Sequence, residues 1–141
     1  MNDQSDQNNS LKKGKNMSTI ADYIVIRDSP FELATGESRN FGSILIPSDL
    51  VPGTAKAKAI LQYKARPLTN PPFAATTELT VQFNGTTVQG IKLTLDTIHG
   101  LWETFPATIL NADSSANFVQ FRAEIGPVRI ADVILWFQRR I

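Results

Sequence analysis

The chain has 141 residues, 14 basic against 13 acidic, a net charge of +1, a single histidine and no cysteine. That length allows one domain with a real core, and the charge balance implies neither a nucleic-acid-binding surface nor an acidic polymer as partner. Without cysteine, disulfides, thiolate zinc sites and a Cys nucleophile are excluded.

Residues 1–16, MNDQSDQNNSLKKGKN, are almost purely polar and are expected to be a disordered tail. They carry too little apolar surface to offset the entropy of ordering. The stretch lacks the apolar centre of a secretory signal, and Met17 offers an alternative start, so the single domain is expected over 17–141. Lys12, Lys13 and Lys15 read as a solubilising cluster. No apolar run approaches the ~20 residues that span a bilayer, so membrane insertion is not expected.

Ile20 to Arg27 reads as a strand with Ile24 and Ile26 opposite Tyr23 and Val25, broken by Asp28-Ser29-Pro30. A short segment at Phe31 to Leu33, a turn at Gly36 and a longer strand at Phe41 to Ile46 follow, closed by Pro47. Lys56 to Arg66 gives the cleanest alternation. Ala57, Ala59, Leu61, Tyr63 and Ala65 point inward, and Lys56, Lys58, Ile60, Gln62, Lys64 and Arg66 form an outward basic stripe. Lysines so placed discourage edge pairing, and the stripe reads as a solvated face. Prolines over 67–76 prevent regular structure there.

Thr77 to Phe83 alternates with Leu79, Val81 and Phe83 inward, and Asn84-Gly85 is a strong hairpin signal. The return strand runs from Thr86 to about Leu95, with Gly90 permitting a bulge. Asp96 to Gly100 reads as a loop, Leu101 to Leu110 as an irregular strand interrupted at Pro106, and Asn111 to Ala116 as a polar turn. Two final arms meet at Gly126-Pro127. In the first, Val119, Phe121, Ala123 and Ile125 share a face, and Phe118 alone breaks the polar side. In the second, apolar residues occupy both parities, so the strand is either covered on both sides or changes face at a bulge. A helix is the competing reading for Ile130 to Arg140, but its β-branched and aromatic density favours a strand. About eight strands without a helical period predict an all-β antiparallel two-sheet sandwich of jelly-roll type.

The hairpin LxVxFNG (Leu79, Val81, Phe83, Asn84, Gly85), then Phe105, Leu110, Asn117, Val119 and Phe121, and finally Ile130, Asp132, Val133 and Leu135, resemble the galactose-binding-like jelly rolls. Family six carbohydrate-binding modules are among them. The resemblance covers roughly the last half of the chain and implies the fold with a tilt toward glycan binding. A structural calcium ion is common among such modules, but no distinctive calcium-site run stands in this sequence.

His99 is the sole histidine, so a His-clustered metal site is excluded and any Ser-His-Asp triad would have to use it. No GxSxG, HExxH or phosphate-cradling loop is present, and nothing nominates a pair among the scattered acids. The reading is therefore a non-enzymatic recognition module. If strands alternate in direction, the connections at 28–38, 67–76, 96–101 and 126–127 gather at one end. Those at 47–55, 84–85 and 111–116 gather at the other. The first end brings Asp28, Glu37, Asn70, Phe73, Asp96 and His99 together with Trp102 just beyond, offering an aromatic face for a sugar ring and carboxylate and amide groups for its hydroxyls. Competing with this, Trp102 reads as a core residue, Trp136 is expected in the core, and His99 reads as a turn residue. The alternative function is assembly: a homo-oligomeric subunit of a larger particle, such as a phage tail or capsid accessory component. Phe118 would then centre a subunit contact, and the C-terminal strand would be available to pair with a neighbour.

Overall fold

The structure is a computed structural model that describes residues 19–46, 58–68, 77–93, 97–111 and 116–140. The expected tail, Met17 and the segments at 47–57, 69–76, 94–96 and 112–115 lie outside the described residues. The elements are β1 (Thr19–Arg27), β2 (Phe31–Leu33), β3 (Ser38–Ile44), β4 (Lys58–Pro67), β5 (Thr77–Phe83), β6 (Thr86–Leu93), β7 (His99–Pro106), a single 3₁₀ turn (Ala107–Ile109), β8 (Asn117–Ile125) and β9 (Val128–Arg140). All pairings are antiparallel. One sheet runs β1-β9-β4-β7, with β2 also on β9, and the other runs β3-β8-β5-β6.

β1 and β2 follow one line along β9, from Thr19 opposite Arg140 to Leu33 opposite Val128. Asp28-Ser29-Pro30 interrupts that line because Pro30 has no N–H to give the ladder. Taken as one interrupted strand, they bring the count to eight. The strand order then matches a jelly roll, in which each chain connection except the β5–β6 hairpin crosses between the two sheets.

The inward rows predicted for β4, β5 and β8 are the core. Leu61, Tyr63, Leu79, Val81, Phe83, Val119 and Phe121 are fully buried, joined by Val128, Ile130, Val133, Leu135 and Phe137 of β9. Phe121 lies at its centre, edge-on to Tyr63 at 5.3 Å and to Phe31 at 5.8 Å between ring centroids. Each large apolar side chain so buried contributes about 1.5–3 kcal/mol.

β9 is a strand throughout, and it changes face at a bulge. Val128 and Ile130 point inward before the bulge and Val133, Leu135 and Phe137 after it, with Asp132 at φ 53° taking up the extra residue. Three expectations need correction. β4 lies between β9 and β7, so its lysines do not guard an edge. In β6 the extra residue is Val88, between the pairs Gln82–Thr87 and Val81–Gln89, and Gly90 pairs regularly with Thr80. Ile125 is exposed, because the register slips by one residue between Glu78–Ile125 and Leu79–Ala123 and turns it outward.

The turns follow their residue chemistry. Asn84 and Gly85, at φ 51° and 80°, form the two-residue turn whose twist suits a hairpin. Gly126 sits at φ 78°, and a Cβ there would stand 2.8 Å from Thr77 Oγ1. At the Asn84 end, the fully buried Asn117 amide donates to Ile44 O at 3.0 Å and Asn111 O at 2.8 Å. Its oxygen accepts from Asn111 N at 2.7 Å and Asn84 Nδ2 at 2.9 Å. Asn84 in turn donates to Ile109 O and accepts from Phe118 N. One amide thus ties β3, the hairpin turn and the 3₁₀ connection together. Asn117→Ala leaves several buried groups unpaired and is expected to cost about 3 kcal/mol or more. Phe118→Ala, one residue away but outward, is expected to cost under about 1 kcal/mol; comparable losses in urea unfolding would contradict this placement.

Candidate functional site

At one end the described strand ends gather as the alternation requires. Leu33 and Pro67 both stand opposite Val128, and Leu68 N–H donates to Pro127 O at 3.0 Å. Asn70, Phe73 and Asp96 lie outside the described residues. The four remaining nominees do not converge. Asp28 sits at the β1–β2 corner, and Trp102 is on β7 at the opposite edge of the sheet, three strand spacings or about 14 Å away. His99 is not in a loop: it is the first residue of β7, opposite Ala65 on the inward row, whereas Trp102 stands opposite Gln62 on the outward row. His99 and Trp102 therefore project from opposite faces of one strand. Glu37 lies in the turn after β2, where its carbonyl accepts from Ala123 N–H.

What does converge is the outward face of the five-stranded sheet. Its register places Val25, Ile134, Gln62 and Trp102 in one row and Tyr23, Trp136, Ile60 and Thr104 in the next. Trp102 is 59% exposed and Tyr23 is 53% exposed. Trp136 is half-buried on this face and not in the core, because the Asp132 bulge sends Leu135 and Phe137 inward in its place. Its indole Nε1 donates to Gln62 Oε1 at 2.9 Å, and its ring lies 5.0 Å from that of Tyr23 between centroids, which fixes its orientation. Between the two tryptophans lies an open apolar groove of about 370 Å³, floored by Ile60 and bordered by Lys58, Ala21 and Gln138. The alternation of β4 already put Ile60 outward. The pairing that brings Tyr23 and Trp136 beside it joins residues more than a hundred positions apart, and no local pattern carries that.

A second, more polar hollow of about 270 Å³ lies further along β4 toward the gathered connections, lined by Pro30, Lys64, Arg66, Ile98, Arg129 and Asp132 among others. Lys64 Nζ stands 3.1 Å from Asp132, and an Arg129 guanidinium nitrogen stands 3.2 Å from Glu32. Both pairs are solvent-exposed and contribute little to stability. Among the described residues, no group of three or more His, Cys, Asp or Glu side chains is placed to hold a metal ion. The calcium associated with the resemblance has no carboxylate cluster to receive it there.

Inside the sandwich, Tyr63 O–H donates to Glu103 Oε1 at 3.0 Å. Burial raises the Glu103 carboxyl above its usual range, with the Tyr63 hydrogen bond opposing that shift, and burial beside Glu103 raises the Tyr63 phenol. At the sheet edge Arg139 bonds to Asp22 and holds its carboxyl low.

No protein-family model matches the chain, and neither does any curated protein. Solved structures do. Latent PorU from Porphyromonas gingivalis aligns with a TM-score of 0.58 at 12% identity, over 89% of this chain and 13% of its own. BuGH86, solved in complex with neoagarooctaose, aligns at 0.54 and 14% identity over 86% of this chain and 20% of its own. The family GH115 4-O-methyl-α-glucuronidase BtGH115A, described as specific for decorated arabinogalactans, aligns at 0.52 and 10% identity over 90% and 18%. This chain thus spans a fifth or less of each, and at these identities the likeness shows the sandwich fold alone.

A carboxyl whose folded-state pKa is raised stabilises the fold fully below its unfolded value, near 4.5, and loses that contribution as pH rises through the folded value. Glu103→Gln removes the charge and keeps a partner for Tyr63. Its melting temperature relative to the parent protein is therefore expected to climb between pH 4.5 and 8. A difference that stays flat with pH would contradict the burial of that carboxyl.

Proposed function

We propose that this domain is a non-enzymatic carbohydrate-recognition module and that it holds glycan on the outward face of the five-stranded sheet, not in the loops at one end. The observation that carries this is that Trp102 and Trp136 line one open apolar groove, with the Trp136 ring held by Gln62 and backed by the Tyr23 ring. A sugar ring has apolar C–H faces and a rim of hydroxyls. The indole faces suit the first, and the Lys58 ammonium and Gln138 amide beside them suit the second. An exposed aromatic set on a rigid sheet needs no ordering when ligand arrives, which lowers the entropic cost of binding. BuGH86, solved with neoagarooctaose, and BtGH115A, with specificity for decorated arabinogalactans, agree with this reading.

A second reading, a subunit of a larger assembly, is favoured by Phe118, which is 43% exposed on the outward face of the other sheet. The two readings separate by variant. Trp102→Ala removes an exposed side chain, so folding is expected to be intact. Glycan affinity measured by affinity electrophoresis is expected to fall about tenfold, corresponding to roughly 1–2 kcal/mol of lost apolar contact. His99→Ala is expected to leave it unchanged. Trp102→Ala without effect on any bound glycan would rule out the sheet face. Phe118→Arg is expected to change sedimentation only if the chain assembles through that residue, and to leave glycan binding as it was.

A further inference from the structure

The described sheets have four edges: β1 with β2, and β7, in one, and β3 and β6 in the other. An edge strand presents unpaired N–H and C=O groups to any neighbouring chain, and proteins blunt such edges with bulges, Gly, Pro or charge. Three of the four are blunted in this way. β7 carries Gly100 and ends on Pro106, β6 has its extra residue at Val88 with Gly90 and Lys92 beyond it, and the register of β3 breaks between Phe41 and Ile44, with Ser43 at φ 56°. β1 is different. It holds no Gly, Pro or Lys, its register against β9 is regular from Thr19 to Val25, and Tyr23 and Val25 are about half-exposed on its outward face. Tyr23 N–H donates to the Asp22 carboxylate at 2.8 Å, so it is turned away from β9 and toward the open side. Strand alternation turns the N–H and C=O groups of Ala21 and Val25 the same way. The C-terminal strand β9, by contrast, is bonded along both sides and offers no edge.

We infer that β1 is the contact through which two copies of this chain pair, antiparallel, about a two-fold axis perpendicular to the sheet. The residues of β1 complement their own copy, and they set where the axis falls. Directly opposite residues of an antiparallel pair share a face, so the axis passes beside a single residue. At Asp22 it would set two carboxylates against each other, which is destabilising. At Tyr23 it keeps most of the regular segment paired. Tyr23 then meets the partner's Tyr23 and Ala21 meets the partner's Val25, which covers the exposed apolar side chains of both copies. Asp22 stands opposite the partner's Ile24 and keeps its bond to Arg139, while Tyr23 N–H exchanges that carboxylate for the carbonyl of the partner's Tyr23. The same axis leaves the grooves between Trp102 and Trp136 of both copies on one side of the joined sheet.

A one-strand contact is small beside the ~1,200 Å² of a stable interface, so the full chain is expected to dimerise reversibly with concentration in sedimentation velocity. Ala21→Pro removes an N–H that faces the open side, a position where edge strands tolerate Pro, and a thermal melt checks that it folds. It is expected to weaken the dimer about tenfold or more, through one hydrogen bond lost from each copy. Phe118→Arg is expected to leave the dimer as it was. Because the chain has no cysteine, single introduced ones report the register. Tyr23→Cys lies on the axis, where opposite Cα atoms stand about 5.5 Å apart, and is expected to give disulfide-linked dimers under mild oxidation. Val25→Cys, displaced from its mate by about 13 Å along the strand, is expected to give few. The cysteine pair decides the matter even where Ala21→Pro fails to fold. A chain that stays monomeric at the highest soluble concentration and crosslinks at neither position overturns the inference. So does a dimer that survives a folded Ala21→Pro or is dissolved by Phe118→Arg, and so does equal crosslinking at 23 and 25.

Discussion

β9 is bonded to β1 and β2 along one side and to β4 along the other, and it supplies inward side chains along most of its thirteen residues. A strand of fixed parity could not do this with the sequence VRIADVILWF, because its apolar residues switch from even to odd positions. The extra residue at Asp132, with its backbone at φ 53°, absorbs that switch. Aspartate tolerates this conformation better than most residues, since its short side chain can bond locally. The consequence reaches both hollows: the bulge sends Trp136 outward beside Tyr23 and sets Asp132 itself against Lys64. The break at Asp28-Ser29-Pro30 lies across from the same point, so the partner strand also resets there.

The two ends of the sandwich are held by different means. One is closed by the Asn117 amide, whose bonds to backbone groups of β3 and of the 3₁₀ connection replace ladder partners those segments lack. The other is closed by Gly126-Pro127, where the absence of a Cβ lets the turn approach Thr77 and where Pro127 O receives Leu68 N–H. The buried Tyr63–Glu103 pair brings the one ionisable carboxyl into the described core, where the Tyr63 hydroxyl donates to it at 3.0 Å. Among the described residues, the surface that carries more than one exposed aromatic, Tyr23 and Trp102, is the outward face of the larger sheet.

That division bears on the proposed function. Groups carried on connections have, in general, no spacing set by a backbone ladder. Trp102, Trp136, Ile60 and Lys64 instead sit on three neighbouring strands whose spacing is set by backbone hydrogen bonds. Such a surface suits an extended, repeating ligand better than a compact one.

Residue pattern by itself determined the sandwich, the inward rows of β4, β5 and β8, and the Asn84-Gly85 and Gly126-Pro127 turns. All of these are set by the period of two and by turn chemistry, which act over a few residues. The outward position of Ile60 and the switch of parity near Asp132 were legible too. Tertiary structure alone decided that Trp136 stands outward beside Tyr23 and that Asn117 becomes a buried knot. Each of those depends on register between strands distant in sequence, and a one-residue shift in register reverses which face a side chain meets.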